Sequence, residues 1–349
     1  MRHLKCLTIV FTLSLLTGAA AKAGDSQQID VSLGDVSINK VTFLVAADAG
    51  IYVKNGLNVH QFITPDAAEK IRHSGIVVPD SFVGKGGKDA AISIGGGVPM
   101  MYAMATDARA ANRVILATTD DRLQDHIIVA HDITSLDQLK GKRLGYSSLG
   151  SVTHVTARLF AEHMGWDPDH DVSLMANGNN INALKSGEVD AVVGSELIQA
   201  IAAKEGWRDL VDLATYDLPL VGSSVTANRK WLQAHPDEAA RFVKATVEAI
   251  ALTKTNKQVV FDALAKWFNI TDREAQQRMY DQEISELPKK PYPSVDGIKK
   301  AMEVYSFREM TMHPAEYYYD ARFMADLDKS GFIDKLYTDA AHAPIEQRC

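Results

Sequence analysis

Cysteine is nearly absent from this sequence. Of its 349 residues only Cys6 and Cys349 are cysteines, and they lie at opposite ends of the chain. Such a pair provides neither a CxxC redox motif nor a zinc-finger cluster. A chain of this length can bury a core that needs no covalent cross-link. We therefore expect a fold that is stabilised by packing alone.

Basic residues are scarce as well. The chain has 37 Lys and Arg against 44 Asp and Glu, which gives a net charge of −7 and a pI near 5.9. Proteins that neutralise nucleic-acid phosphates need a basic surface, so we expect no nucleic-acid partner. Aromatic residues are only 7% of the chain, but hydrophobic residues reach 46%, which is typical of a globular protein. No repeat of fixed period is present, which excludes solenoids and propellers.

Common catalytic motifs are missing too. The sequence has no GxSxG nucleophile elbow, no HExxH zinc motif and no phosphate-binding loop ending in GKS or GKT. His126 and His131 lack the accompanying carboxylates of a metal site. The acidic cluster at residues 167–171 is better explained by an exposed loop. We therefore expect no catalytic activity, no metal and no cofactor.

The N-terminus carries the pattern of a secretory signal peptide. Arg2 and Lys5 precede an apolar run at residues 7–16, and Ala21-Lys22-Ala23 provides a small-x-small cleavage pattern. About ten apolar residues are too few to span a bilayer of about 30 Å. No cysteine follows the run, which disfavours a lipid anchor. We expect export and cleavage after Ala23, which removes three positive charges and changes the net charge from −7 to −10.

Strand and helix patterns alternate after residue 29, which predicts an α/β fold. Later stretches all fall short of the roughly 18 apolar residues of a membrane span. Strands are predicted at residues 29–34, 57–63, 90–94, 113–119, 127–130, 142–146, 172–175 and 189–194, and an extended segment at 218–226. Helices are predicted at residues 41–53, 66–73, 99–108, 151–164, 180–186 and 196–205. The chain from residue 236 to residue 337 is predicted to be mainly helical, followed by a frayed polar tail.

Polar and glycine-rich turns follow several of the predicted strands. Parallel strands of an open α/β sheet place their carboxyl ends at one edge, and ligands of such sheets bind there. We therefore predict that ligand-binding residues lie in these turns. The candidates are Asp35, Ser37, Asn39, Gly96, Gly97, Ser147, Ser148, Ser151, Thr153, Asn179, Asn180 and Ser195.

The turn at residues 147–153 has the most distinctive composition. Ser147, Ser148, Ser151 and Thr153 cluster where a strand gives way to a helix, beside unpaired N–H groups at the helix start. N-capping accounts for one of these hydroxyls but not for four. The set fits a sulfonate, carboxylate or phosphate group. His154 follows in the first helical turn, where a lone histidine is more often exposed or part of the core than a ligand.

The other turns have two interpretations each. Gly95-Gly96-Gly97 would let the backbone approach an anion at a helix start, but glycines are equally typical of a tight turn. Asn177-Gly178-Asn179-Asn180 could orient a ligand through its amides, although Asn-Gly is as common in plain turns. The turn at residues 35–39 has the same ambiguity.

Four motifs in order resemble the periplasmic solute-binding proteins of ABC transporters, of the type that serves nitrate, sulfonates, taurine and thiamine-pyrimidine precursors. The match spans about residues 29–255. The motifs are AADAGIY with NGLNV at residues 46–59, ITSLDQLKGKRLG at 133–145, ALKSGEVDA at 183–191, and TAN at 226–228 with HP at 235–236.

The resemblance implies a two-lobed α/β fold of the type II periplasmic-binding-protein class, with the ligand cleft between the lobes. After a signal peptide at residues 1–23, the first lobe would comprise residues 24–126 and 223–349, and the second residues 127–222. Binding would close the lobes around a small anionic or polar ligand. The implied partners are a membrane permease and its ATPase, and the implied oligomeric state is a monomer in the periplasm.

Two alternatives remain open at this point. The resembling superfamily includes enzymes of thiamine-pyrimidine synthesis, which are cytosolic and rich in cysteine around their site, and a periplasmic sensor would present its ligand to a receptor. The chain also departs from the family pattern at Thr64-Pro65-Asp66 and in the loop at residues 75–88. One turn that usually lies on the ligand side in this family is therefore altered in this chain.

Overall fold

Two five-stranded sheets organise the protein. The computed structural model describes residues 28–34, 37–73, 80–84, 90–285 and 287–342. The strands are β1 Gln28–Leu33, β2 Asn58–Ile63, β3 Ile92–Gly96, β4 Arg113–Thr118, β5 His126–Val129, β6 Arg143–Tyr146, β7 Ser173–Ala176, β8 Ala191–Gly194, β9 Arg208–Asp212 and β10 Ser223–Asn228.

Both sheets are mixed and share one pattern. The first sheet has the order β2-β1-β3-β10-β4, and the second has the order β7-β6-β8-β5-β9. In each, three parallel strands come from consecutive βαβ units. The fourth strand, β10 or β5, runs antiparallel to its neighbours and enters from the chain that crosses between the sheets. This is the two-lobed α/β fold expected from the sequence.

Helices cover the sheets and form most of the C-terminal part. They are α1 Val41–Asp48, α2 Ile51–Lys54, α3 Pro65–His73, α4 Gly97–Thr106, α5 Val152–His163, α6 Ile181–Lys185, α7 Glu196–Lys204, α8 Arg229–Ala234, α9 Pro236–Thr255, α10 Lys257–Phe268, α11 Arg273–Met279, α12 Val295–Tyr305, α13 Arg308–Thr311, α14 Arg322–Lys329 and α15 Phe332–His342. Of the described helices, none is both long and apolar enough to cross a bilayer.

The two passages between the sheets lie side by side. Leu123 N–H donates to the carbonyl of Leu218, and Leu220 N–H donates to that of Asp121, so that residues 119–125 and 213–223 form a short antiparallel ladder. Arg122 also forms an ion pair with Asp217 at 2.9 Å. Two paired segments between two separately built sheets are typical of a hinge.

The hydrophobic core does not divide cleanly between the sheets. One cluster joins Met101 and Ile115, from the first-sheet side, with Ile127 and Phe160 of the second. Ile298 of α12 is fully buried in the same cluster. The helix α12 lies directly against the antiparallel ladder. A Cβ atom at Gly297 would come within 2.1 Å of the Leu220 carbonyl carbon. The helix α12 therefore packs against both sheet regions and couples them.

Several element boundaries differ from the sequence prediction. The helix predicted at residues 41–53 is two helices, because the chain turns at Gly50, whose φ is +67°. The strand predicted at 90–94 runs to Gly96 because β10 pairs with it over that length. The edge strand β9 was not predicted, because its residues are mostly exposed and polar. Most of the predicted loop at 75–88 lies outside the described residues, except for a short turn at Asp80–Phe82.

Candidate functional site

The carboxyl ends of the parallel strands of both sheets meet at one cleft. A side chain at Gly96, where β3 ends, would lie within 2.9 Å of Cγ2 of Val152, where α5 begins. Leu197 of α7 packs on a cluster that contains Ile38 and Val41 of the first-sheet side. The predicted polar turns of the two halves are therefore brought to facing edges, and we call the space between these edges the cleft.

The N-terminus of α5 carries a compact hydroxyl network on the second-sheet side. Thr153 Oγ1 lies 2.8 Å from Ser147 Oγ and 3.1 Å from Ser151 Oγ, and it accepts from the Ser147 N–H. Ser151 is the N-cap and accepts from the N–H of His154. Capping thus uses one of the four hydroxyls, that of Ser151. The hydroxyls of Thr153 and Ser147 are linked to it through hydrogen-bond distances. The hydroxyl of Ser148 donates to no described residue.

Backbone donors lie beside these hydroxyls. Within the described part of the chain, the N–H groups of Val152 and Thr153 have no protein acceptor. They belong to a helix of 12 residues, whose macrodipole places partial positive charge at this end. The turn can therefore donate several hydrogen bonds to one anionic group.

The remaining second-sheet candidates differ in how far they are already bonded. Asn180 caps α6, because its side chain accepts from the N–H of Ala183 and donates to the carbonyl of Asn177. Asn179 and Ser195 are half-buried, and their side chains form no hydrogen bond within the described residues. Asn179 and Ser195 can therefore offer polar atoms to a ligand, whereas Asn180 holds the turn.

On the first-sheet side the structure adds a residue that sequence reasoning missed. Lys40 is only 3% exposed, and its ammonium donates to Asn39 Oδ1 at 2.7 Å and to Ser223 Oγ at 3.0 Å. Ser37 donates to the same oxygen of Asn39 at 2.7 Å. The predicted candidates Ser37 and Asn39 thus surround a buried cation. Asp35 lies outside the described residues.

Lys40 was missed because its partner comes from far along the chain. Ser223 is 183 residues away, at the start of the returning strand β10. The sequence nonetheless contained a signal, since Lys40 is the one charged residue between Asp35 and Asp48. Buried ammonium groups must be hydrogen-bonded to offset their desolvation.

Gly96 and Gly97 contribute mainly through packing. The N–H of Gly97 donates to the carbonyl of Gly222 at 2.8 Å, and that of Val98 donates to Val221 at 3.0 Å. A side chain at Gly97 would come within 2.4 Å of Val221. These glycines dock α4 onto the crossing ladder, so two donors of the α4 start are bonded to protein.

Other polar residues considered from the sequence have structural partners. His170 and the backbone N–H of Asp169 both bond to the Asp167 carboxylate, which makes the 167–171 cluster a self-bonded turn. His126 is buried at the start of β5, with Nδ1 2.8 Å from Asp209 Oδ2. Burial opposes protonation of His126, but contact with Asp209 and the charges of Asp212 and Asp125 raise its pKa.

Two lobes that share a hinge ladder and face each other across polar helix starts define a protein of the periplasmic-binding-protein fold. The sequence comparison agrees with this architecture, because the model of the family described as NMT1/THI5 like matches residues 37–258. The chain belongs to this family. No curated protein matches the sequence significantly.

Solved structures of similar fold include both binding proteins and an enzyme. The aliphatic sulphonate-binding protein SsuA from Escherichia coli is 19% identical, with a TM-score of 0.59, covering 81% of this chain and 94% of its own. The nitrate-binding protein NrtA from Synechocystis PCC 6803 is 15% identical, with a TM-score of 0.63 and coverage of 93% and 91%. The desulfurization enzyme DSZB is 16% identical, with a TM-score of 0.55 and coverage of 86% and 99%.

Proposed function

We propose that this protein is the extracytoplasmic solute-binding component of an ABC importer. It would bind a small anionic organic molecule or inorganic anion in the cleft, close its lobes around it and deliver it to a membrane permease. The observation that carries the proposal is the placement of Lys40 and of the α5 hydroxyl network at facing edges of a hinged two-lobed fold. The names of SsuA and NrtA, which bind sulphonates and nitrate, support an anion as the ligand class.

Closure follows from contacts with both lobes. A ligand that bonds to Lys40 and Ser37 on one side and to the α5 start on the other gains its full binding energy only when the edges approach. Its differential affinity then favours the closed state. The antiparallel ladder at residues 119–125 and 213–223 is the proposed hinge, and it supports lobe boundaries close to 126/127 and 222/223.

A thermal-shift screen of the purified protein tests the ligand class. We would use nitrate, methanesulfonate, taurine, acetate, benzoate, a pyrimidine and an amino acid. A ligand at about 100 times its Kd stabilises the folded state by about 2.7 kcal/mol, which is a clear rise in Tm. Stabilisation by an anion supports the proposal. Stabilisation by uncharged compounds alone, or by none of the panel, contradicts it.

Lys40→Met tests the proposed charge in the cleft. Hydrogen bonds to a charged group contribute about 1.5–3 kcal/mol, so we expect the affinity for the best anion to fall about tenfold or more. Lys54→Met is the matched control, because Lys54 is 70% exposed on α2 and pairs with Glu248. Equal affinity of Lys40→Met and wild type, measured by calorimetry, would remove Lys40 from the site.

Export belongs to the proposal as well. Residues 1–27 lie outside the described part of the chain, so the signal peptide remains a sequence-based expectation. Mass spectrometry of the periplasmic fraction should find a chain that begins at Gly24. An intact Met1 in that fraction would contradict cleavage after Ala23.

The similarity to DSZB supports one second candidate, an enzyme that acts on a sulfur-containing substrate. Incubation of the best anionic ligand with the purified protein separates the two functions. We expect the ligand to be recovered unchanged. A product whose rate of formation scales with protein concentration would favour the enzyme.

A further inference from the structure

A cavity opens beside the N-terminal half of α5, next to the turn that carries the hydroxyl network. Its volume is about 680 Å³, within the range of small-molecule sites. Its walls come from α4, the end of β6 and the turn after it, α5, the start of β7 with the segment before it, and the end of α12. We call it the α5 cavity. It is lined by Tyr102, Tyr146, Leu149, His154, Arg158, Pro168, Asp169, Val172, Ser173, Leu174, Val304, Tyr305 and Phe307. The candidate cleft residues are not among them.

Aromatic rings dominate one wall of this cavity. Tyr102 meets Tyr305 edge to face, with centroids 5.1 Å apart, and meets Phe307 in the same way at 5.4 Å. Tyr305 stacks on Phe307 at 5.6 Å. In this wall Tyr305 is almost fully buried, whereas Tyr102 and Phe307 are half-buried and leave ring surface open. Such a wall favours a flat ring over an aliphatic group.

His154 supplies a hydrogen-bond donor to this cavity. His154 Nδ1 accepts from the N–H of Gly150 and from the hydroxyl of Tyr305, both at 3.1 Å. Burial and the charge of Arg158 lower the pKa of His154 to about 4, so the ring is neutral at pH 7 and carries its proton on Nε2. Within the described residues Nε2–H has no acceptor. It is therefore available to a ligand.

The charges of Arg158 and Asp169 compensate each other, although the buried Nε–H of Arg158 has no acceptor among the described residues. Arg158 bonds to both carboxylate oxygens of Asp169, at 2.7 and 3.1 Å. The guanidinium charge is thus compensated by a bidentate partner. A charged ligand would lose its hydration in the cavity without gaining a free counter-charge, so the site suits an uncharged molecule.

We propose that the α5 cavity is a second binding site, which takes an uncharged aromatic or heteroaromatic compound that carries a hydrogen-bond acceptor. The ring lies against Tyr102 and Phe307, and the acceptor receives the Nε2–H of His154. The site borders the anion-facing turn but is lined by none of the proposed anion-binding residues, and it goes beyond the proposed transport function.

Binding of three probes to the full chain tests the chemical class. Benzamide has the ring and the acceptor, cyclohexanecarboxamide has the acceptor without the ring, and benzoate adds a charge. Ligand-observed NMR should find saturable millimolar binding of benzamide, with cyclohexanecarboxamide and benzoate at least about threefold weaker. Because benzoate can also enter the anion cleft, its affinity for the α5 cavity is measured by displacement of benzamide. Equal binding of benzamide and cyclohexanecarboxamide, displacement of benzamide by benzoate at concentrations below the Kd of benzamide, or no saturable binding of benzamide would overturn the proposal.

Phe307→Leu locates the site while keeping apolar volume. We expect benzamide affinity to fall about three- to tenfold, because one ring contact is lost. Phe323→Leu is the matched control, since Phe323 is a half-buried ring on α14 outside the cavity. In protein labelled with ¹⁵N-histidine, benzamide should also shift the Nε2 resonance of His154. Any one of three results would overturn the proposal. Phe307→Leu could bind benzamide as the wild type does, Phe323→Leu could lose as much affinity as Phe307→Leu, or benzamide could leave the His154 Nε2 resonance unshifted.

Discussion

Single side chains in this protein combine a local role with a long-range one. Ser151 caps α5 and also belongs to the hydroxyl network with Ser147 and Thr153. His154 lies one turn further on and bonds both to the loop at Gly150 and to Tyr305 on a distant helix. A substitution at either position therefore has a stability effect and a binding effect, and each test needs a control that separates them.

Ser148→Ala and Ser151→Ala should both weaken binding of the cleft ligand. Each removes a hydroxyl from the proposed anion-facing turn, so we expect about a tenfold loss of affinity by calorimetry. Only Ser151→Ala should also destabilise the fold, by about 1 kcal/mol, because it alone removes the cap.

Ser330→Ala is the matched control for these two variants. Ser330 also accepts from a backbone N–H, that of Phe332, but it is exposed between α14 and α15. It should bind ligand as the wild type does. If Ser148→Ala and Ser151→Ala do so as well, the turn is only a helix cap.

His154→Gln should flatten the acid side of the pH–stability curve. The unfolded residue takes up a proton near pH 6.5, but burial and Arg158 lower the pKa of the folded residue to about 4, with Asp169 opposing. Between these values the unfolded chain binds more protons, so stability falls as the pH falls. The wild type should lose up to about 3 kcal/mol over this interval through this group. Urea unfolding at several pH values measures it, and parallel curves for both proteins would contradict it.

At the scale of elements, α12 holds the hinge region in place. Ser294 is the N-cap of α12, and its Oγ accepts a hydrogen bond from the N–H of Gly297. The backbone N–H of Ser294 donates to Thr118 Oγ1 on β4. Glycine at position 297 lets the helix backbone approach the Leu220–Val221 peptide more closely than any side chain would permit. Helix, ladder and strand β4 are thereby packed as one unit.

Gly297→Ala should destabilise the protein by about 1–3 kcal/mol, because the new methyl group would overlap the backbone of the ladder. Gly95→Ala is the matched control, since its methyl group would meet only ordinary contacts at 3.7 and 3.9 Å. Chemical denaturation measures both. Equal free energies of unfolding for the two variants would show that α12 moves aside without cost.

Element-scale features also show what the sequence could and could not predict. The α5 start was predictable, because strand, hydroxyl cluster and apolar helical stripe lie within twenty consecutive residues. The edge strand β9 was not, since Arg208–Asp212 has no apolar run. Neither Lys40 with Ser223 nor Tyr102 with Tyr305 could be paired in advance, because the chain path that joins them is set by the whole fold.

At the scale of the whole molecule, one core cluster crosses the boundary between the sheets. Met101, Ile127 and Ile298 belong to it together, although they come from three distant parts of the chain. Loss of one half would expose apolar surface of the other. The two lobes therefore share part of their stability.

The two lobes should therefore unfold in a single transition. Trp166 packs in the cluster that crosses the boundary, and Trp231 packs in the core of the first sheet. We expect denaturation curves from single-tryptophan variants that retain one or the other to coincide, and calorimetry to give one peak. Two separated midpoints would mean that the shared cluster contributes little.

The exchange of strands between the sheets has a consequence for synthesis. Residues 126–212 contain every strand of the second sheet, but the first sheet needs β10 between β3 and β4. A nascent chain that ends before Ser223 therefore holds a complete second sheet and a first sheet split in two. The first sheet, most of whose strands are synthesised first, is therefore the last to be completed. Until the strand Ser223–Asn228 has been made, β3 and β4 each present an unpaired edge, the kind of surface on which growing chains aggregate.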